Sequence, residues 1–252
     1  MEKIKLAGKL KQKKYRAETG LFLAEGLRLC EVAAESSKIR FGFFTGDFSE
    51  NPRAKSLIER LKKIAPLAEI SPAAFSKISD TETPQGILLA VEQKKYSPSE
   101  VLKKSSVVVS DGIQDPGNVG TILRTAEAFD CGMILLEGSA DIYNPKVVRS
   151  SMGAIFNLPT VQMTRKEFLS SPDFSGIEIF STTLDKTSEI YFTRDFTKKS
   201  VFVFGNEANG ISEEIAERTK KIFIPMTGKA ESLNVAAAVA IIISEAARQK
   251  FC

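Results

Sequence analysis

The sequence predicts an α/β protein built around a mostly parallel sheet. Continuous apolar runs, such as Val107–Val109 and Val201–Gly205, alternate with segments whose apolar residues recur at helical spacing. Such runs are typical of strands that connecting helices bury on both faces. The chain has 252 residues, of which 43% are hydrophobic and 26% are charged, a balance expected of one large or two ordinary globular domains.

Residues 1–93 are predicted to form a small N-terminal α/β domain. A basic helix is expected to end near Tyr15, and further helices are expected from Gly26 and over Pro52–Ala65 and Pro72–Ile78. Strands are predicted at Leu21–Ala24, Phe41–Thr45 and Gly86–Val91. The polar segment 94–104, which contains a proline and follows a completed strand, is predicted to be a linker.

Residues 105–252 are predicted to form a second α/β domain in which strands and helices alternate. Strands are expected at Val107–Val109, Met133–Glu137, Ile155–Val161, Glu178–Thr182, Val201–Gly205 and Lys221–Ile224. Helices are expected up to Phe129, over Pro145–Met152 and from Ser232 to about Gln249. Ligands of open α/β sheets collect at the carboxyl edge of the strands, so a site is expected on the turns that follow them.

The composition excludes several kinds of chemistry. The chain has no histidine, which rules out Ser-His-Asp and Cys-His catalysis, histidine metal sites and an imidazole base. Cys30, Cys131 and Cys252 show neither disulfide nor zinc spacing, so no metal site is predicted. The charged N-terminus does not resemble a signal peptide, and the longest apolar run, Val235–Ser244, is shorter than the roughly 20 residues that span a bilayer. A cytoplasmic protein without a membrane partner is therefore expected.

The net charge of +4 is small, but positive charge is concentrated at the N-terminus. The run consists of Lys3, Lys5, Lys9, Lys11, Lys13, Lys14 and Arg16. Such a run is compatible with a solvated helix face and also with a surface that binds a polyanion. The pattern alone leaves both interpretations open.

The first unusual turn has the pattern Asn118-x-Gly-x-x-x-Arg124. Asn118 is predicted to cap the helix that follows, and Gly120 permits a close approach of the backbone. Arg124 lies on a helix that is otherwise apolar and small, so we expect it to meet an anionic partner. A phosphate matches the fork of a guanidinium group.

Two further turns carry glycine, amide and acidic residues directly after predicted strands. In Gly205-Asn-Glu-Ala-Asn-Gly-Ile211, the capping of the next helix does not explain Glu207, which is predicted either to bind a ligand or to hold the loop. In Ile224–Val235, Pro225 favours an extended exit from the strand and Ser232 is the expected N-cap. Asn234 is a poor helix former, so its amide is expected to face a ligand or a partner chain.

Two glycine-lysine patterns resemble nucleotide-binding loops only in part. Before Thr227-Gly-Lys-Ala-Glu-Ser232, Phe223 occupies the first glycine position of a P-loop, and Ala230 stands where Ser or Thr would hold magnesium. Gly205 and Gly210 have the P-loop separation, but Ile211-Ser212 follows them instead of Lys-Ser. No G-x-G-x-x-G follows a strand. Nucleotide hydrolysis and dinucleotide binding are therefore poorly supported.

Taken in this order, the three turns resemble the signature motifs of SpoU-type (TrmH-like) RNA 2′-O-ribose methyltransferases of the SPOUT superfamily, over residues 107 to 250. In addition, Phe22–Arg28 and Gln85–Ala90 resemble the ribosomal-protein L30e-like α/β domain that often precedes this domain and binds the RNA substrate. The resemblance implies a C-terminal SPOUT α/β domain with a deep trefoil knot and an obligate homodimer. It also implies S-adenosyl-L-methionine as the cofactor and RNA, not DNA, as the partner.

The resemblance also implies roles for individual residues. The catalytic group would be Asn118, Arg124, Glu207, Ser232 and Asn234. The cofactor would be bound by Thr182, Thr183, Leu184, Gly205, Asn206, Glu207, Gly210, Ile224, Met226, Ser232, Leu233 and Asn234. Since guanidinium stays protonated, Arg124 of the partner subunit is expected to grip a phosphate and to stabilise the developing alkoxide, while Glu207 or an RNA phosphate accepts the proton.

The expected activity is methyl transfer to a ribose 2′-hydroxyl of structured RNA. The N-terminal domain favours 23S ribosomal RNA as the substrate, by analogy alone. Three alternatives stay open: a tRNA 2′-O-methyltransferase, an RNA-binding protein without catalysis, and a methyltransferase that acts on the base.

Overall fold

A computed structural model describes residues 2–185, 187–206 and 208–251. Glu207, a predicted catalytic and cofactor-binding residue, lies outside the described residues. The chain forms two compact units. The first unit contains the residues up to Lys94 together with Asp141–Asn157, and the second contains Lys95–Ala140 together with the residues from Leu158 onward.

The first unit is built on a four-stranded sheet. Its helices up to residue 94 are α1 (Glu2–Lys9), α2 (Lys13–Thr19), α3 (Leu27–Ser36), α4 (Gly46–Ser49), α5 (Pro52–Lys62) and α6 (Pro72–Ile78). Its strands are β1 (Leu21–Glu25), β2 (Ile39–Phe44), β3 (Leu67–Glu69) and β4 (Ile87–Glu92), in the order β1-β4-β2-β3. The three predicted strands are confirmed with small shifts of their ends. The single basic helix predicted up to Tyr15 is wrong, because Gln12 has an extended backbone and α2 begins after it.

The N-terminal basic run is partly structural. Arg16 is only 3% exposed, and its Nη2 lies 2.6 Å from Oδ2 of Asp141. Its Nη1 donates to the carbonyl oxygens of Leu10 and Lys11 over 2.9 and 2.7 Å. A buried arginine needs such partners, because an unpaired buried charge is strongly destabilising.

Residues 141–157 are fixed to the first unit by aromatic contacts as well. The ring of Phe22 stacks on Phe156 with centroids 5.9 Å apart and contacts Tyr143 at 4.8 Å. Residues 141–157 therefore belong to the first unit, whereas the segments directly before and after them in the chain belong to the second. The linear division into 1–93, a linker at 94–104 and 105–252 stays a prediction.

The second unit is built on a seven-stranded sheet. The remaining helices are α7 (Pro98–Val101), α8 (Pro116–Ala128), α9 (Pro145–Ser150, in the first unit), α10 (Arg165–Ser170), α11 (Glu213–Ala216) and α12 (Val235–Phe251). The strands are β5 (Ser106–Asp111), β6 (Gly132–Leu136), β7 (Thr160–Met163), β8 (Glu178–Thr182), β9 (Glu189–Ile190), β10 (Ser200–Gly205) and β11 (Lys220–Phe223). Their order is β7-β6-β5-β10-β8-β11-β9, and every neighbouring pair is parallel. The predicted parallel sheet is confirmed.

One predicted strand is wrong. Ile155–Val161 was expected to be a single strand, but Ala154–Phe156 forms a short 3-10 helix and the strand begins only at Thr160. Gly153 has φ of 103° and turns the chain before the 3-10 helix, whose three residues are buried. The predicted linker also contains structure, because α7 begins at a Ser97–Glu100 capping box. No helix in the described part of the chain is long and apolar enough to span a membrane.

Candidate functional site

Two of the three predicted turns, those after β10 and β11, line one cavity in the second unit together with Thr182–Leu184, whereas the first turn, Asn118–Arg124, does not line it. Because the strands are parallel, β8, β10 and β11 all end at the same edge of the sheet, and β8 lies between the other two. Thr182 ends β8, Gly205 ends β10 and Ile224 follows β11. Together with the residues around the start of α12, these strand ends enclose about 640 Å³.

Every predicted cofactor residue that the structure describes lines this cavity. They are Thr182, Thr183, Leu184, Gly205, Asn206, Gly210, Ile224, Met226, Ser232, Leu233 and Asn234. The lining residues that the sequence did not single out are Ser181, Phe204, Ala208, Asn209, Ile211, Ala216, Lys221, Val235 and Ala238. Most of these residues adjoin a predicted cofactor residue in the sequence, so their position at the strand ends is the pattern that could have identified them. Among the described lining residues, Lys221 is the only charged one, and the rest of the wall is apolar or carries neutral amide and hydroxyl groups.

The loop after β10 folds back on itself. Asn206 and Gly210 exchange two backbone hydrogen bonds of 2.9 and 2.8 Å, and Asn206 Oδ1 accepts from the N–H of Ala208 over 2.8 Å. Gly205 must be glycine, because a Cβ there would lie 2.2 Å from the carbonyl carbon of Gly210. The shape of this side of the cavity therefore depends on the absence of a Cβ at Gly205.

A buried carboxylate fixes the end of the same loop by a hydrogen bond. Asp111, at the end of β5, is 1% exposed, and its Oδ2 accepts from the N–H of Ser212 over 2.8 Å. Its Oδ1 accepts from Nε of Arg165 over 2.7 Å. Asn206 Nδ2 donates to the carbonyl oxygen of Gly112 over 2.9 Å. The roles of Asp111 and Arg165 were not predicted from the sequence, although a carboxylate that ends an apolar strand is a signal for such a role.

The third turn leads into α12 differently from the prediction. The helix begins at Val235, and Asn234 Oδ1 accepts from the N–H of Ala236 over 2.9 Å. The prediction that the helix begins at Ser232 with that residue as its N-cap is therefore wrong. Asn234 precedes the helix, where its short amide side chain is favourable.

Asn118 also has a different local role. Asp115 caps α8 by accepting from the N–H of Asn118 over 2.8 Å, so the prediction that Asn118 is the N-cap is wrong. The side chain of Asn118 instead accepts at Oδ1 from Nδ2 of Asn234 over 2.9 Å. The first motif is thereby joined to a residue that lines the cavity.

Arg124 does not line the cavity, and its side chain is exposed. It follows Asn118 by six positions, which at 3.6 residues per turn directs the two side chains about 120° apart around α8. No hydrogen bond or salt bridge joins it to another residue in the described part of the chain. A single chain thus brings Ser232 and Asn234 to the cavity wall and Asn118 into contact with Asn234, but it leaves Arg124 outside the cavity.

The lining residues that the structure describes include no carboxylate, and the nearest one in sequence is Asp185, directly after Leu184. The pKa of Asp185 is lowered, first by the hydrogen bond from the backbone of Thr187, then by the Thr187 hydroxyl and the charge of Lys221. Its Oδ1 accepts both bonds from Thr187, over 2.9 and 2.8 Å. Asp185 is therefore a turn-forming anion. The described residues also contain no cluster of three or more side chains able to hold a metal ion.

Two family models match the sequence. The model described as the SpoU rRNA methylase family matches residues 105–244, and the MRM3-like substrate binding domain matches residues 1–89. The two matches together leave only short segments of the chain uncovered.

Relatives and solved structures agree with these matches. The chain is 33% identical to the 23S rRNA (guanosine(2553)-2′-O)-methyltransferase RlmP of Bacillus subtilis, over 96% of this chain and 94% of that protein. It is 35% identical to the tRNA (guanosine(18)-2′-O)-methyltransferase of Aquifex aeolicus, over 64% of this chain and 79% of that protein. The crystal structure of the SpoU methyltransferase AviRb from Streptomyces viridochromogenes with the cofactor AdoMet has a TM-score of 0.89 and 27% identity, and the match covers 100% of this chain and 98% of that one.

Proposed function

The chain belongs to the SpoU rRNA methylase family, and we propose that it transfers a methyl group from S-adenosyl-L-methionine to a ribose 2′-hydroxyl of structured RNA. The observation that carries the proposal is the cavity formed by three strand ends, each with one of the expected residue sets. The AdoMet-bound structure of AviRb, which matches the whole of this chain, supports the same cofactor.

The cavity fits S-adenosyl-L-methionine in size and chemistry. Its volume of about 640 Å³ lies within the range of small-molecule sites, about 300–1,000 Å³. Apolar walls from Ile224, Met226 and Leu233 suit an adenine ring, and the neutral groups of Thr182 and Asn206 suit the polar edges of the ligand. When bound, the cofactor supplies a methyl group activated by a positively charged sulfur.

The residues around the cavity would orient the reacting sugar. Asn234 is held in place from two sides, because it caps α12 and donates to Asn118. Ser232 lies in the same wall and offers a hydroxyl. Fixed groups of this kind reduce the loss of entropy needed to align a hydroxyl with a methyl donor.

Arg124 is proposed to act on the site of the partner subunit. Its side chain is exposed and turned about 120° away from Asn118, so it is available to a second chain. A guanidinium group binds phosphate with two parallel hydrogen bonds and stays charged, so it would hold the RNA backbone and stabilise negative charge on the 2′-oxygen. Glu207 or an RNA phosphate is proposed to accept the hydroxyl proton.

A homodimer is proposed for the same reason. The helices α8 and α12 pack against each other, and the exposed positions on them and directly after α8 include the small or apolar residues Thr121, Phe129, Ala237 and Ser244 beside the charged Arg124, Glu127 and Arg248. The side chain of Phe129 is 39% exposed, and packing against a second copy of this surface would remove the ring from water. The trefoil knot and the cytoplasmic location remain expectations from the resemblance and the composition.

The proposed substrate is 23S ribosomal RNA. The 23S rRNA methyltransferase of Bacillus subtilis aligns with almost all of this chain, whereas the tRNA methyltransferase of Aquifex aeolicus leaves about a third of it unmatched. The MRM3-like substrate binding domain matches residues 1–89, and we assign the N-terminal unit to RNA binding. A tRNA substrate stays the second candidate, since that relative is 35% identical over 64% of this chain.

The experiment that tests the function uses total RNA from cells that lack the protein. The purified protein and methyl-labelled S-adenosyl-L-methionine should label 23S rRNA, and the labelled linkage should resist alkaline and nuclease cleavage because its 2′-oxygen is blocked. Label in tRNA would select the second candidate. Label in a base would overturn ribose methylation, and no label in any RNA, with intact cofactor binding, would overturn the proposal.

A further inference from the structure

A second cavity, of about 530 Å³, lies in the first unit. Its walls are the first residue of α3, the segment from the end of β2 through α4 to the N-cap of α5, the helix α6 and the residues that precede β4. This cavity is formed by a different unit from the methyl-transfer site.

The floor of this cavity is closely packed. Gly86 has φ of 83°, and a Cβ there would lie 2.4 Å from Oγ1 of Thr45 and 2.9 Å from Cβ of Phe48. The backbone of Gly86 therefore packs directly on these side chains, and its carbonyl oxygen accepts from the N–H of Thr45 over 2.9 Å. Phe48 and Phe75, both buried, together with Pro72 and Pro84, give the lining its apolar surface.

Three polar groups on the rim retain hydrogen-bonding capacity. Gln85 Oε1 accepts from the N–H of Leu27 over 2.9 Å, and Asn51 Oδ1 accepts from the N–H of Arg53 over 2.9 Å. Each carboxamide is thereby oriented, and its NH₂ group finds no acceptor within the described residues. The carboxylate of Asp47 likewise has no donor or cation among them. The rim thus offers two amide donors and one anionic acceptor.

This combination favours a nucleobase. A base presents flat apolar faces, and its edge carries both acceptors and N–H donors, which match the amides and the carboxylate. A phosphate is disfavoured, because Asp47 would repel it. Proteins that recognise RNA sequence usually do so on unpaired bases, which are stacked on aromatic groups and read along the edge.

Positive charge next to the cavity suits the flanking phosphates. Arg28 and Lys77 follow the lining residues Leu27 and Ser76 directly, both are exposed, and neither forms a salt bridge with another described residue. The basic N-terminal helices are close by, since Ala7 and Leu10 share a hydrophobic core with Phe75 of α6. Lys11 Nζ donates to the carbonyl oxygen of Lys77 over 3.2 Å. Contacts between basic side chains and RNA phosphates position a strand without reading its sequence.

We propose that the cavity in the first unit binds one unpaired nucleobase of the RNA substrate, with Gln85 and Asn51 donating to the base and Asp47 accepting from it. The inference rests on the proposed function, and it places part of the substrate selection outside the methyl-transfer cavity. The base pocket then decides which RNA is held, while the second unit decides where the methyl group goes.

The test exchanges donors and acceptors on the rim without changing net charge. In the double variant Asp47→Asn with Asn51→Asp, the acceptor becomes a donor and the donor becomes an acceptor. The carboxylate introduced at position 51 still caps α5, because it accepts from the same N–H groups as the amide oxygen that it replaces. The measurements are the affinity for 23S rRNA transcribed in vitro, by gel shift, and the affinity for S-adenosyl-L-methionine, by calorimetry. Ala68→Glu, on the exposed edge strand β3 outside the cavity lining, is the surface control.

We expect the double variant to bind the rRNA about tenfold more weakly, the usual effect of mispairing one base edge. Cofactor affinity and the melting temperature should stay at the values of the unchanged protein. Asp47→Asn alone should also weaken RNA binding, although it makes the protein more positive, and this separates base reading from general attraction. Unchanged rRNA affinity in the double variant would overturn the proposal.

This outcome is separable from failure of the proposed function. Methyl transfer that is absent while the double variant still loses rRNA affinity would refute the activity and support the pocket. Methyl transfer that is present with equal rRNA affinity in all variants would support the activity and refute the pocket.

Discussion

The side-chain amide of Asn234 donates a hydrogen bond to Oδ1 of Asn118 over 2.9 Å. The two residues stand 116 positions apart in the chain, one in the first turn of α8 and the other immediately before α12. Because Oδ1 of Asn234 also caps α12, one carboxamide joins the two helices and orients the cavity wall. Stability and catalysis should therefore respond separately to changes at this residue.

Asn234→Ala should lower the free energy of unfolding by about 0.5–2 kcal/mol, because it removes the N-cap of α12. Asn234→Ser is the matched variant, since serine caps a helix nearly as well but has no amide to donate to Asn118. We expect Asn234→Ser to keep most of the stability and to lose methyl transfer. Urea unfolding and turnover with labelled cofactor measure the two effects, and full turnover in the serine variant would contradict the role of the amide link.

Gly205→Ala should weaken the binding of S-adenosyl-L-methionine on the order of tenfold, the loss of about one hydrogen bond to the ligand. The added Cβ would lie 2.2 Å from the carbonyl carbon of Gly210, so the loop must move. Gly228→Ala is the control, because a Cβ at that position meets nothing within 4 Å. Calorimetry compares the two variants, and equal affinities would show that the loop after β10 does not shape the ligand site.

At a cofactor concentration well below the dissociation constant of Gly205→Ala, that variant and Arg124→Ala should each have at most about a tenth of the original activity alone, but they should complement each other when mixed. If each site combines the cavity of one subunit with Arg124 of the other, a mixed dimer has one complete site. Random assortment of equal amounts then restores about a quarter of the original activity. Activity is measured after joint unfolding and refolding, and no recovery, with mixed dimers demonstrated by mass spectrometry, would place Arg124 in the site of its own chain.

Arg165→Gln should destabilise the protein by about 1–3 kcal/mol, because it leaves the buried carboxylate of Asp111 without its cation. Asp111→Asn removes the charge and restores part of this loss. The combined variant should therefore be less destabilised than the sum of the single ones, as measured by a double-mutant cycle in urea. Strict additivity would mean that the two side chains do not interact in solution.

Glu245 should make stability depend on pH in the acidic range. Hydrogen bonds from Arg248, and then from Gln249, lower its pKa from 4.5 to about 2. The folded pKa is below the unfolded one, so the stabilisation is fully present above about pH 4.5 and is lost as the pH falls through about 2. The difference in unfolding free energy between the protein and Glu245→Gln should therefore shrink over this range. Glu82→Gln, at an exposed residue without a described salt bridge, is the control, and a difference that is constant with pH would contradict the assignment.

The centre of the sheet in the second unit could be predicted because β5, β6 and β10 are buried on both faces. Runs such as Val107–Val109 are continuously apolar, which is typical of a strand buried on both faces. Residues at the ends of other predicted strands, Gly205 and Ile224 among them, line the cavity. The two-residue strand Glu189–Ile190 is too short to leave a pattern. Ile155–Val161 is largely apolar, but an apolar run does not distinguish a strand from a buried turn.

Long-range partners could not be predicted from local patterns. Arg16 belongs to a basic run that favoured a surface role, and its partner Asp141 is 125 positions away. Asn234 was correctly recognised as a poor helix former, but propensity alone does not say whether such a residue lies within a helix or just before it. The direction of the Arg124 side chain relative to that of Asn118 follows only once both residues are known to lie in α8.

The return of residues 141–157 to the first unit has a consequence for engineering. A fragment cut after Lys94 would lack Asp141, Tyr143 and Phe156, leaving a buried guanidinium without its carboxylate and the ring of Phe22 uncovered. Grafting this unit onto another methyltransferase would therefore require two pieces of sequence instead of one. A single crossover between two such genes would likewise transfer either an incomplete first unit or part of the second unit with it.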